Sequence, residues 1–155
     1  MHYINSITVP YGTAQFIPFP LSTQFMEPQK FTFPKKEKLK GKKRIEQLFA
    51  EGKTTSHYPL RLIYLKTDFA DGAKIKAGVT VSKRNFKSAV KRNRIKRLMR
   101  EAYRLNKSQI FNNIEGDYTF MFLYLGKEMP DQKKISETMI HLIRKFHKET
   151  VKGNP

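Results

Sequence analysis

Apolar positions along the chain recur at a helical period, then an alternating one, then a helical one again, and that order predicts the fold. Ile45, Leu48 and Phe49 stand at i, i+3, i+4, one face of a short helix with Gly52 as its C′ stop. Leu60, Leu62 and Tyr64 then alternate with Arg61, Ile63 and Leu65, which predicts a strand. Ile75, Ala77, Val79 and Val81 alternate with Lys76, Gly78, Thr80 and Ser82, a second strand with one wet face. With Asp71-Gly72 in the turn between them, the two read as an antiparallel pair, and residues Thr54 to His57 as a short edge strand. Helical spacing returns at Ile95, Leu98, Met99, Ala102 and Asn106. Tyr118 to Leu125, YTFMFLYL, is apolar on both faces and suits a central strand or one lining a groove. Ile135, Met139, Leu142, Ile143 and Phe146 form the seam of a last helix. The expected architecture is a single α+β domain, helix, strands, helix, strand, helix, with helices packed on a four-stranded sheet.

Charge gives the second of these helices its meaning. From Ser82 to Lys107 there are 11 cationic side chains and one acid, Glu101, a net +10. On a helical wheel Asn93, Lys96, Arg97, Arg100 and Arg104 gather in an arc of about 100° opposite the apolar seam. A solvated basic face is normally laced with acids at i, i+4, and here only Arg97 and Glu101 are so placed, in the weaker order. The helix therefore docks by its seam and shows its charge to a polyanion. Arginine suits that partner, because its planar fork meets phosphate oxygens in pairs.

Val81-Ser82-Lys83-Arg84, Ala89-Val90-Lys91-Arg92-Asn93-Arg94-Ile95-Lys96-Arg97-Leu98 and Arg100-Glu101-Ala102-Tyr103-Arg104 together resemble the signature of the protein subunit of bacterial ribonuclease P, whose core is Arg-Asn-Arg. The resemblance spans roughly Phe31 to His147. It implies a ribonuclease P protein fold, like a ribosomal-protein domain, with a left-handed strand-helix-strand crossover where the common rule is right-handed. It also implies that the catalytic RNA and its Mg²⁺ ions cut precursor tRNA, while the protein binds that RNA and the 5′ leader and reduces phosphate repulsion. Carried over by position, Arg92, Asn93, Arg94, Lys96, Arg97 and Arg100 are the RNA-contacting motif. Lys83, Arg84, Lys87 and Lys91 adjoin it as phosphate contacts, and Arg104 continues the face. Relatives take the leader in a cleft between the first helix and the sheet, where Phe49 matches a stacking aromatic. Ile45 stands where many relatives have Phe, and Phe49 reads equally as a core residue.

Composition narrows the alternatives. The net charge of +18 over 155 residues is uneven: residues 1–29 hold no Lys or Arg and one acid, Glu27, leaving +19 on the remainder. Residues 1–29 read as a flexible tail or as the product of a start truly at Met26, residues 30–149 as the domain and 150–155 as a C-terminal tail. The basic lead-in Lys30 to Lys43, with Pro34 and Gly41, lacks the first glycine and the Ser/Thr of a phosphate loop. Absence of cysteine fits a reducing cytoplasm, and no apolar run reaches the roughly 18–20 residues of a membrane span. The N-terminus has no basic n-region, so no secretory signal is expected.

No protein catalytic centre is expected. The thirteen acids are scattered; Asp68 with Asp71 and Glu128 with Asp131 sit in turn-like contexts. His141 and His147 are six apart, unlike the four of a zinc-binding helix face, and His57 lies in a polar stretch. Neither a protein-bound metal nor a small-molecule substrate is expected. The competing class is a ribosomal-type RNA-binding protein without a role in cleavage, which charge and an α+β core also permit. A protein-only metal nuclease lacks the residues it would need.

Overall fold

In the computed structural model residues 33–152 are described, so the readings for residues 1–29 lie outside the described residues. A 3₁₀ turn, Lys35–Glu37, leads into α1 (Lys42–Glu51), β1 (Lys53–His57), β2 (Leu60–Thr67), β3 (Ile75–Val81), α2 (Ala89–Phe111), β4 (Asp117–Tyr124) and α3 (Gln132–Lys152). The elements follow the predicted order, with β1 the edge strand expected near Thr54. Helix α3 continues through Lys152, past the domain end read from the sequence.

The sheet order is β1-β2-β4-β3, with β2 antiparallel and β3 parallel to β4. The antiparallel pairing expected between β2 and β3 does not form, because β4 lies between them. The cause is legible in burial: Phe120 and Phe122 are fully buried on one face of β4 and Met121 is buried on the other. A strand apolar on both sides loses most at an edge, so it takes the centre, and β3, polar at Thr80 and glycine-bearing at Gly78, moves outward. Strand β3, helix α2 and strand β4 are thus a parallel crossover unit.

Two layers of apolar packing follow from the period of two in each strand. Leu60, Leu62, Tyr64, Ile75, Ala77, Val81, Phe120 and Phe122 face α2 and α3 and form the main core with Ile95, Met99, Tyr103, Ile110, Met139 and Phe146. Phe146 stands edge-on to Tyr64, Tyr118 and Phe120, with ring centroids 4.9, 5.4 and 5.0 Å away. Helix α2 packs over β3, and α3 over β1 and β2. On the other face Leu48 of α1 packs with Ile63 and Met121 in a smaller cluster, joined by Leu39 and Ile45.

Two expectations on the helices change, at Leu98 and Gly52, while Asn106 is buried in the seam as its spacing requires. Leu98 is only half-buried, at the margin of the α2 seam, and the fully buried places go to Ile95, Met99 and Ala102. Asn106 is buried because its Nδ2 donates to the Ala102 carbonyl at 2.8 Å, which satisfies the amide inside the seam. Gly52 is extended, at φ −68°, and does not close α1 in a left-handed turn. Glycine is required there for room: a Cβ would collide with the Leu48 carbonyl and stand 2.7 Å from Ile63 Cγ2.

Strand β3 is protected by the lead-in segment. Lys38 bridges Ala77 in parallel, and the Leu39 N–H donates to the Ala77 carbonyl at 2.9 Å. The largely buried pair Lys107–Glu37, at 2.8 Å, ties this segment to α2, and Phe33 meets Tyr103 edge-on at 5.4 Å. Covering an open strand edge in this way blocks pairing with another chain.

Candidate nucleic-acid interface

The basic surface is built from the loop between β3 and α2 and from the first turns of α2. Ser88 caps the helix, its side chain accepting the Lys91 N–H at 3.4 Å. The loop itself is held by its own residues: the Ser82 hydroxyl accepts the Arg84 N–H at 3.1 Å, and the Phe86 N–H donates to the Ser82 carbonyl at 3.1 Å. Asn85 Nδ2 donates to the Leu125 and Gly126 carbonyls at 3.2 and 3.3 Å, and buried Phe86 packs on Tyr124, so the loop is pinned to the end of β4. Lys83, Arg84 and Lys87 are left exposed on a fixed backbone.

On α2, Lys91, Asn93, Arg94, Arg97 and Arg100 are exposed, and Lys96 is half-exposed. Beside them Val90 is 79% exposed, an apolar spot within the charged surface. The partner of Glu101 is Arg104, one turn on, rather than Arg97. That guanidinium holds the Glu101 carboxyl below its usual range, first through the hydrogen bond and then through charge. Pairing with Arg104 leaves Arg97 and Arg100 without this acid, and the exposed arc keeps its positive sign.

Arg92 is placed differently from its neighbours. Half-buried, it turns back along the loop, and Nη1 donates to the Phe86 and Lys87 carbonyls at 2.8 and 2.7 Å. It braces the loop that presents Lys83, Arg84 and Lys87. Arg92→Ala is therefore expected to lower stability by about 1–3 kcal/mol, as befits loss of charged hydrogen bonds, and to weaken RNA binding as well. Thermal melts beside affinity measurements check this, and an unchanged melting temperature would show the brace to be unimportant.

The opposite face of the sheet bears the second expected element. Phe49 is 50% exposed on α1, so it is not a core residue. Sheet register sets Ser56, Arg61, Leu123 and Thr80 in one row across β1, β2, β4 and β3. Arg61 is exposed and Leu123 and Thr80 half-exposed, with Leu123 packing at the margin of the small cluster under α1. Sequence reasoning missed this row, because strand order decides which residues become neighbours. It also missed Asn85 and Phe86, although an apolar Phe within a basic run was a signal that the loop is anchored.

Among the described residues there is no group of three or more His, Asp or Glu side chains that could hold a metal ion. None of their helices is long and apolar enough to cross a membrane. Asp71 accepts from the Ala73 N–H and from Lys76 Nζ, so this turn carboxylate serves the fold.

The family model for ribonuclease P matches residues 33–147. The chain belongs to this family. Its ribonuclease P match runs from the lead-in to the last helix and includes the whole basic surface. The ribonuclease P protein component of Porphyromonas gingivalis is 38% identical over 116 residues, covering 72% of this chain and 84% of that protein. That of Geotalea uraniireducens is 33% identical over 120 residues, covering 77% and 99%. The RNase P protein of Thermotoga maritima, 22% identical, superposes with a TM-score of 0.57 over 70% of this chain and 96% of its own. That of Staphylococcus aureus, 18% identical, gives the same TM-score over 71% and 94%. At such identity the structural likeness establishes the shared fold.

Proposed function

We propose that this ribonuclease P protein binds the catalytic RNA through the β3–α2 loop and α2, and binds the 5′ leader of precursor tRNA in the opposite cleft. The carrying observation is that Asn93 and Arg94 of the Arg-Asn-Arg pattern, with Arg97 and Arg100, stand exposed on a capped helix with their charge uncancelled by acids, while Arg92 braces the adjoining loop. Arg94, Arg97 and Arg100 supply paired donors for phosphate, and Lys83, Arg84, Lys87, Lys91 and Lys96 extend the positive field. Phe49, Arg61 and Leu123 offer a half-apolar, half-basic surface for a single strand, where base stacking on an aromatic contributes about 1–3 kcal/mol with little regard to sequence. The chain's own residues bind, orient and lower repulsion between phosphates. Mg²⁺, carried by the RNA, supplies the metal-assisted hydrolysis. The cytoplasm is the compartment in which precursor tRNA would be met.

Reconstitution with a bacterial ribonuclease P RNA at low Mg²⁺ tests the reading. Added protein should stimulate 5′ cleavage of precursor tRNA, whereas the protein without RNA should not cleave in any divalent metal. RNA-free, metal-dependent cleavage would overturn the subunit role, and binding without stimulation would leave a ribosomal-type RNA-binding protein. Affinity should fall linearly in log–log form with salt, by about 0.7 to 0.9 per phosphate neutralised. A flat salt response would exclude α2 as the interface.

A further inference from the structure

Helix α3, beside α2 on the same face of the sheet but toward the β1 edge, carries a second basic stripe. Lys134, His141, Lys145, Lys148 and Lys152 recur at spacings of seven, four, three and four, within an arc of about 60° on the helix. All five are exposed. Their helix packs over β1 and β2, whereas α2 packs over β3.

Two of the three acids near the stripe are engaged elsewhere. Glu149 points into the sheet side, accepting from Thr55 Oγ1 at 2.9 Å and from the Tyr64 hydroxyl at 3.2 Å. The Tyr64 hydroxyl is pushed up to about 12, first by burial and then by that carboxylate. Asp131 is spent at the start of α3, accepting the Lys134 N–H at 2.6 Å. Glu137 is the exposed acid on the flank of the stripe.

Flat rings stand beside these cations. His57, at the end of β1, stacks on His141 with ring centroids 4.8 Å apart and planes 21° from parallel. Lys145 Nζ donates to the Ser56 carbonyl at 2.9 Å, fixing the stripe to the strand. Tyr58 follows, 70% exposed. His57 sits below its ordinary value, from burial first and then from the positive charge of His141, Lys145 and Lys134, so positive potential converges there. Cations interleaved with exposed π-faces suit a nucleic-acid strand, whose phosphates and bases meet both.

We propose that the α3 stripe and the end of β1 form a second RNA-binding surface, which holds an RNA segment other than the one on α2. The inference rests on the reading that the partner of this chain is RNA. It makes the protein two-sided, with an RNA contact at each edge of the sheet.

The test compares two variants of the full chain against a bacterial ribonuclease P RNA bound to precursor tRNA. The first is Lys134→Ala with Lys148→Ala and Lys152→Ala; all three are exposed, and among the described residues none of these side chains makes a hydrogen bond or ion pair. The second is Arg94→Ala with Arg97→Ala and Arg100→Ala. The α3 variant should melt like the parent, bind on the order of tenfold more weakly, and show a salt slope shallower by about one per cation that met a phosphate. Arginine in place of Lys134 and Lys148 should keep full affinity. Parent-like affinity and slope in the α3 variant, with the α2 variant weakened, would overturn this inference and leave the proposed function standing. If neither variant binds more weakly, both fall. Stripe-dependent binding to anionic phospholipid vesicles with RNA affinity unchanged would assign the surface to a membrane and likewise overturn it.

Discussion

Replacing Arg94, Arg97 and Arg100 together with alanine is expected to weaken binding to ribonuclease P RNA by roughly 10²-fold or more at moderate salt. Hydrogen bonds to charged groups are each worth about 1.5–3 kcal/mol, and 1.4 kcal/mol is a factor of ten, so even a non-additive sum of three reaches that range. Stability should hardly move. All three side chains are exposed, and the buried residues of α2 are Ile95, Met99, Ala102, Tyr103, Asn106, Lys107 and Ile110. Truncation therefore opens no cavity. Parallel melts and salt-resolved binding curves check the prediction, and a variant that unfolds yet binds normally once folded would mean that the two faces of α2 are exchanged.

Phe146→Ala should do the reverse. The ring is wholly buried and stands edge-on to three aromatic neighbours, Tyr64, Tyr118 and Phe120. Its removal costs about 3–5 kcal/mol, from lost transfer energy and the cavity left between α3 and the sheet. Edge-to-face ring pairs add to what area alone provides. Because a domain of this size is stable by only about 5–15 kcal/mol, the loss is a large share of the whole. Denaturant titration should show it, while the folded fraction keeps its RNA affinity. Leu98→Ala should cost less than a full core truncation, since Leu98 is half-buried, and Met99 is the better probe of the α2 seam.

The elements were legible because period and composition agree within each. Five apolar positions of α3, from Ile135 to Phe146, are all buried as their spacing requires. The exposed arc on α2 was legible for the same reason, since the wheel separates Arg97 and Arg100 from Ile95 and Met99. Strand order was not legible in the pairing of β2 with β3, although YTFMFLYL already carried the signal that β4 is central. A turn sequence such as Asp71-Gly72 says that the chain reverses, and it does not say which strand will lie alongside afterwards. Arg92 escaped for another reason. Its wheel position is ambiguous, and its two carbonyl acceptors belong to a loop whose path depends on Asn85 and Phe86 reaching the end of β4. The open row Arg61, Leu123 and Thr80 depends on register alone, which no local pattern carries.

The central place of β4 also sets an order in time. Strand β4 follows α2 in the chain yet lies between β2 and β3, so during synthesis β3 has no strand neighbour until residues beyond Asp117 have emerged. At about 5–20 residues per second, the stretch from Lys107 to Tyr124 takes on the order of seconds to make. Non-local pairings then close slowly compared with helix formation. Throughout that interval the segment with a net +10 is already made, while the sheet that its seam packs against is still open. A nascent chain of this kind meets polyanions before it is finished: the binding surface is made first, and the core closes second.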